Sequence, residues 1–226
     1  MLAVMPNRKF TTDPQQNEYR TYSEGVIMIS DKSAIIKVIG IGSAGGNILE
    51  NIMQDQIDGI DYIAVNTEPK VLNMSSANTK ILLSLEIKEG LRPSPVNCES
   101  HQKSVKQIES AIGGATMVFL IAGLGGETGT NACQLFAEVA RSLGIYTIAI
   151  VTLPFSEESL YRKSIAKAAI INLRNLVNSV LVMPNDQICN PSGRGVLDSF
   201  KAGDAIISGA LQSSIRKEPC ELGLSS

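Results

Sequence analysis

Residues 35–47 read I-I-K-V-I-G-I-G-S-A-G-G-N, and residues 117–131 read M-V-F-L-I-A-G-L-G-G-E-T-G-T-N. Each opens with a strand-length run of mostly apolar residues, as a parallel strand covered on both faces requires, and then breaks into glycines. Each turn leads into a helical pattern, carried after the first by Ile48, Leu49, Ile52 and Met53 and after the second by residues 132–143. Strand, glycine turn and helix is the repeating unit of a parallel α/β sheet, in which ligands bind at the carboxyl ends of the strands.

The same alternation continues on both sides. Strands are expected at D-Y-I-A-V-N-T (61–67), K-I-L-L-S-L (80–85), Y-T-I-A-I-V-T-L-P-F (146–155) and V-L-V-M-P (180–184). Helices are expected from the end of a loop over residues 86–100 to Ile112, over 159–177, and over 196–216 before Pro219. This spacing predicts an α/β fold: a doubly wound, mostly parallel sheet with helices on both faces and right-handed crossovers. The domain covers residues 34–216. Residues 1–33 are polar and aperiodic apart from a strand-like stretch at 26–29, and are expected to form a mobile leader within which Met28 offers a second start. Residues 217–226 form a short tail.

Of the 226 residues, 44% are hydrophobic and 19% charged, which suits one buried core. No apolar run approaches the roughly 18 residues of a membrane span, and no charged segment leads into an apolar one as in a signal peptide. A net charge of −2 gives no electrostatic footprint for nucleic acid. Cys98, Cys133, Cys189 and Cys220 lie far apart with no C-x-x-C pair, and His101 is the single histidine. Zinc and disulfide frameworks are therefore disfavoured, a reducing cytoplasm is expected, and a Ser-His-Asp or Cys-His enzyme would rest on His101 alone.

The two glycine turns carry the chemistry. Glycines let backbone N–H groups approach an anion, and a helix N-terminus adds roughly half a positive charge. The second turn adds the hydroxyls of Thr128 and Thr130. Glycine in one such turn is accounted for by chain geometry alone, but two at matched positions indicate a site for a chain of phosphates. Gly40, Gly42 and Gly45 also fit G-x-G-x-x-G, so an NAD-dependent oxidoreductase with a Rossmann domain is the alternative; Glu68 lies near the place of its ribose-binding acid. Neither turn contains G-x-x-x-x-G-K-[ST], which excludes a P-loop.

At the second turn the chain resembles a known family. G-L-G-G-E-T-G-T-N is similar to the tubulin/FtsZ signature G-G-G-T-G-T-G, and I-K-V-I-G-I-G-S-A-G-G-N to the first phosphate loop of FtsZ, the bacterial cell-division GTPase. Y-I-A-V-N-T-E, T-L-P-F-S-E-E-S-L-Y-R-K, V-L-V-M-P-N-D and F-K-A-G-D-A-I-I-S-G-A-L-Q resemble further FtsZ motifs in the same order, over residues 34–215. The resemblance implies that GTP or GDP, with Mg2+, is held by Gly42, Ser43, Ala44, Gly45, Gly46, Asn47, Gly125, Gly126, Glu127, Thr128, Gly129 and Thr130 at the phosphates. It implies Glu158 on the ribose, Arg162 over the sugar and phosphates, Asn185 and Asp204 on the guanine edge, and Phe200 on the base face. A carboxylate at Asp204 accepts from guanine N1–H and N2–H2, a discrimination on the order of 1–3 kcal/mol. From the residues alone, Glu158 and Arg162 form an i, i+4 surface pair, Asn185-Asp186 a turn after a strand, and Phe200 a core contact.

The chain departs from the family pattern at several places. Ala44 is compatible with its position only at negative φ. Glu127 stands at a glycine position beside the phosphates, where like charge is expected to weaken triphosphate binding. Residues 90–97, G-L-R-P-S-P-V-N, replace a glycine- and alanine-rich loop, and the prolines remove donors there. Residues 213–226 carry none of the N-x-D-x-x-D loop that enters the neighbouring subunit's site in the family. The resemblance therefore implies a cytoplasmic binding module that docks on, or caps, filaments of a full-length FtsZ, rather than one that polymerises alone. An autonomous FtsZ-type GTPase is a further alternative. The apolar stripe of Val196, Leu197, Phe200, Ile206, Ile207 and Leu211 is expected to need a partner.

Overall fold

The β-branched runs become strands because only a doubly covered sheet can bury such segments on both faces. The computed structural model describes residues 35–54, 57, 59–84, 87–88, 92–93 and 99–185. In chain order the elements are β1 (Ile36–Ile41), α1 (Gly42–Gln54), β2 (Ile60–Asn66), α2 (Pro69–Met74), β3 (Thr79–Leu82), β4 (Ile87–Lys88) and β5 (Arg92–Pro93). They continue as α3 (Glu99–Ile112), β6 (Met117–Gly123), α4 (Glu127–Ser142), β7 (Tyr146–Leu153), α5 (Leu160–Leu176) and β8 (Ser179–Pro184). Six strands form one sheet in the order β3-β2-β1-β6-β7-β8, parallel throughout, while β4 and β5 pair antiparallel on their own.

The strand order reverses between β1 and β6, and both glycine turns leave the sheet there. Gly40 is opposite Ile121 and Ile41 opposite Ala122, so the two turns begin at the same height of the sheet. On one face, α3, α4 and α5 contribute Ile108, Ile112, Phe136 and Leu173 to a core with Ile39, Val65, Leu120 and Val151. On the other, Ile48, Leu49 and Ile52 of α1 and Leu72 of α2 pack on Val38, Phe119 and Ile121. Burial of each large apolar side chain contributes on the order of 1.5–3 kcal/mol, so the central strands anchor both layers. No helix among the described residues is long and apolar enough to cross a membrane.

The expected α/β sheet is present with small changes of boundary. The helix expected from residue 132 begins at Glu127, so Thr128, Gly129 and Thr130 form its first turn rather than a loop. Likewise α1 begins at Gly42, placing Ser43–Asn47 in helix, with Ala44 in the conformation its Cβ allows. Two elements have no counterpart in the sequence reading: α2, which starts with Pro69 in its first turn, and the β4–β5 pair. The leader, the tail and the helix expected at 196–216 lie outside the described residues.

Cys133 sits in the α4 core, wholly buried, and burial pushes its thiol up to about 12. A neutral thiol without access is inert. Treatment of the native protein with iodoacetamide at pH 8 is expected to leave Cys133 unmodified until denaturant is added, as read by peptide mass mapping.

Candidate functional site

Helices α1 and α4 follow β1 and β6 by tight turns, and their N-termini converge. A Cβ added to Gly42 would lie 3.3 Å from the Gly129 nitrogen, which measures how closely the two helix starts approach. The Thr67 and Thr128 hydroxyls lie 2.8 Å apart, tying the end of β2 to the first turn of α4. Asn66 prepares that contact: its Oδ1 accepts from the Thr67 N–H at 2.8 Å and the Glu68 N–H at 3.1 Å, closing an Asx-type turn. In the second turn the Gly125 N–H donates to the Thr130 hydroxyl at 3.0 Å, and the Leu124 N–H donates to the Thr152 carbonyl. The arrangement directs two sets of free helical N–H groups, and two helix dipoles, at one crevice.

The glycines divide by what demands them. At Gly45 a Cβ would stand 2.2 Å from the Ile121 carbonyl oxygen, and at Gly129 it would stand 2.2 Å from that of Gly123. These two are required by helix-on-strand packing. Gly42 and Gly125 have φ of 71° and 97°, a left-handed backbone that side chains disfavour. Gly46 and Gly126 meet neither demand: among the described residues nothing beyond the adjoining chain lies within 4 Å of a Cβ built on either. Their bare backbone faces open space at the start of each helix, where an anion would approach.

Of the other expected phosphate-contacting residues, Ser43, Ala44, Asn47 and Glu127 are exposed at the crevice end and Thr128 is partly exposed. The Thr130 side chain is turned inward and holds the Gly125 turn. Asn131, also buried, donates from Nδ2 to the Glu127 carbonyl. A cavity of about 330 Å³ adjoins the first turn, bounded by Gly42, Ser43, Gly46, Asn47, Asn66 and Met74.

Glu158 and Arg162 come together as the i, i+4 spacing suggests. Arg162 Nη1 donates to Glu158 Oε2 at 2.7 Å, and the Phe155 N–H donates to Oε1 at 2.9 Å. The guanidinium, aided by that N–H, holds the Glu158 carboxyl below its ordinary value. Ser159 caps α5 by accepting from the Arg162 N–H. The pair therefore stands ready-formed beside the second turn, where Pro154 Cγ and the Arg162 carbonyl abut Gly125. Asn185 follows β8, and its buried Oδ1 has no hydrogen-bond partner among the described residues. Phe200 and Asp204 lie outside the described residues. Sequence reasoning omitted Asn66 and Thr67 from the site, although an Asn-Thr pair ending a strand is itself a turn signal.

Comparison with known proteins gives this geometry a family. The model for the tubulin/FtsZ family GTPase domain matches residues 35–192. The cell division protein FtsZ of Coxiella burnetii is 40% identical over 189 residues, covering 81% of this chain and 49% of that protein. FtsZ of Buchnera aphidicola from Acyrthosiphon pisum is 37% identical, covering 80% and 48%. The chain thus spans about half the length of the curated relatives it matches. Among solved structures, an empty FtsZ dimer from M. jannaschii superposes with a TM-score of 0.65 at 30% identity, covering 80% of this chain and 54% of that one. CetZ2 from Haloferax volcanii, in a GTPγS-bound protofilament, shares the fold at a TM-score of 0.63 and 20% identity, covering 79% and 58%. The chain belongs to the tubulin/FtsZ family, and the matched residues are its GTPase domain.

Proposed function

We propose that the crevice between α1 and α4 binds GTP or GDP, and that the face around it seats against a subunit of a full-length FtsZ. The observation that carries the nucleotide reading is the convergence of two helix N-termini at which nothing among the described residues requires Gly46 and Gly126 to be bare. A polyphosphate satisfies both sets of N–H donors at once. The unpaired Oδ1 of Asn185 supports a ligand with N–H donors near the end of β8, and a guanine edge fits that chemistry. Asp204 and Phe200 would complete the base contacts. Magnesium would accompany the nucleotide and offset part of the phosphate charge beside Glu127. The subunit-docking reading draws support from the FtsZ relative solved as a dimer.

Calorimetric titration with GTP, GDP, ATP and NAD, with magnesium present, tests the site. Selective guanine binding is the expected result; binding of NAD alone would assign the crevice to a dinucleotide instead. Steady phosphate release that persists on dilution would identify an autonomous GTPase. For docking, electron microscopy of full-length FtsZ polymers with substoichiometric amounts of this protein should show shortened filaments, and unchanged lengths would remove that reading.

Glu127 tunes the same site. As an acid in the first turn of α4 it favours the helix dipole when no anion is bound, and its negative charge stands at the helix end proposed to hold phosphate. Glu127→Gln is therefore expected to tighten GTP binding about fivefold, and GDP less, from a like-charge contact of about 1 kcal/mol. Equal affinities before and after the substitution would show that the carboxylate turns away from the phosphates.

A further inference from the structure

A groove of about 920 Å³ lies away from the glycine turns, between helix α3 and the edge strand β3. Along it α3 presents Glu99, Gln102, Lys103, Lys106 and Ser110 at helical spacing. The opposite wall is the strand. Among the described residues β3 ends the sheet order and pairs only with β2. The Leu83 N–H donates to the Asn66 carbonyl at 3.0 Å, just past the ladder's last register pair. Parallel ladders alternate residue by residue, so the N–H and C=O of Lys80 and Leu82 point outward, away from β2. No described strand pairs with them, and an edge of this kind is a template for a further strand.

Charge decides which strand. Lys103 and Lys106 are exposed, with no ion-pair partner among the described residues. Lys37, at the far end, is already engaged by Asp61 at 3.7 Å and by the Ala111 carbonyl at 2.8 Å. The Lys80 ammonium turns out of the groove to the Asn73 carbonyl. Glu99 is the one carboxylate among the lining residues, so the middle of the groove is net positive.

We propose that this groove takes an extended acidic peptide by strand addition, its backbone pairing with Lys80 and Leu82 and its carboxylates reaching Lys103 and Lys106. Main-chain bonds supply the affinity and the lysines select against neutral or basic strands. A free polyanion such as polyphosphate would use the lysines but leave the strand edge unpaired. The proposal concerns a surface separate from the nucleotide crevice and stands or falls independently of it.

Fluorescence anisotropy of the full chain with a labelled peptide of alternating Glu and Val tests it. Binding is expected, with about a tenfold loss in the double variant Lys103→Glu/Lys106→Glu. The same peptide N-methylated at alternate residues should lose binding altogether, because its charges are unchanged while its ladder donors are gone. Leu82→Pro should do likewise from the protein side, since it removes an outward N–H that no described strand uses. Equal binding of the N-methylated peptide, or equally effective competition by tripolyphosphate at matched charge, would overturn strand addition in favour of a simple anion site. Failure of the full chain to bind the peptide would overturn the proposal outright, whether another segment or a second copy fills the groove.

Discussion

Gly45→Ala is expected to lower the melting temperature by roughly 10 °C, a loss of about 3 kcal/mol, while Gly46→Ala one residue later leaves it unchanged or raises it. The added methyl at position 45 would sit 2.2 Å from the Ile121 carbonyl oxygen, 3.1 Å from its carbon and 3.3 Å from the Ala122 Cα. All three atoms belong to β6, which is paired on both sides by β1 and β7 and cannot give way. The helix must move instead, and α1 carries Ile48, Leu49 and Ile52 into the core against Phe119 and Ile121. A close-packed interior transmits that shift as lost contact. At Gly46 a methyl meets nothing within 4 Å among the described residues outside its own helix, and it replaces glycine in a helix, worth up to about 1 kcal/mol in its favour. Differential scanning calorimetry of the two variants separates the packing glycine from the open one. Equal melting temperatures would mean that α1 does not approach β6 as closely as described.

That contrast marks what the sequence reveals and what it withholds. The strands were legible because residues such as 117–123 are apolar without interruption, and only a sheet buried on both faces tolerates this. The convergence of the two glycine turns was legible too, from their place after two such strands. The division of labour among the glycines was not, because it depends on distances between segments about 80 residues apart in sequence: Gly45 against Ile121, Gly42 against Gly129. The start of α4 was misplaced for a related reason. Thr128, Gly129 and Thr130 are poor helix formers, but the Gly126 cap, the acidic first turn and the seat of Gly129 on Gly123 outweigh local propensity. The short α2 was hidden in a similar way. Its six residues carry too little periodicity to stand out, and tertiary packing of Leu72 fixes it. The Glu158–Arg162 pair was visible as an i, i+4 spacing, yet its link to the second turn, through the contact of Arg162 and Pro154 with Gly125, exists only in three dimensions.

The largest expected effect on ligand binding belongs to Gly126→Val, which should weaken GTP and GDP binding about a hundredfold while leaving the fold intact. Gly126 caps α4 with φ −96° and ψ 160°, an extended backbone that a β-branched residue adopts readily. Among the described residues no atom beyond the adjoining chain lies within 4 Å of its Cβ position, so the described residues leave space for a side chain there. The substitution also restricts the unfolded chain, which offsets any small loss of solvation in the native state. Nothing among the described residues therefore requires glycine here. If the proposed site holds phosphate here, valine removes the approach to the N–H groups at the start of α4, because its branched methyls cover that helix end. Charge-assisted bonds from such donors are worth about 1.5–3 kcal/mol each, and losing one or two of them gives a change of about a hundredfold. Calorimetric titration measures the affinity, and a thermal melt of the same sample confirms that the variant is folded. Unchanged affinity in a folded variant would move the phosphates away from α4 and reduce the second glycine turn to a structural device. A hundredfold loss without destabilisation would identify Gly126 as a glycine kept for its ligand, in the way that Gly45 is kept for β6.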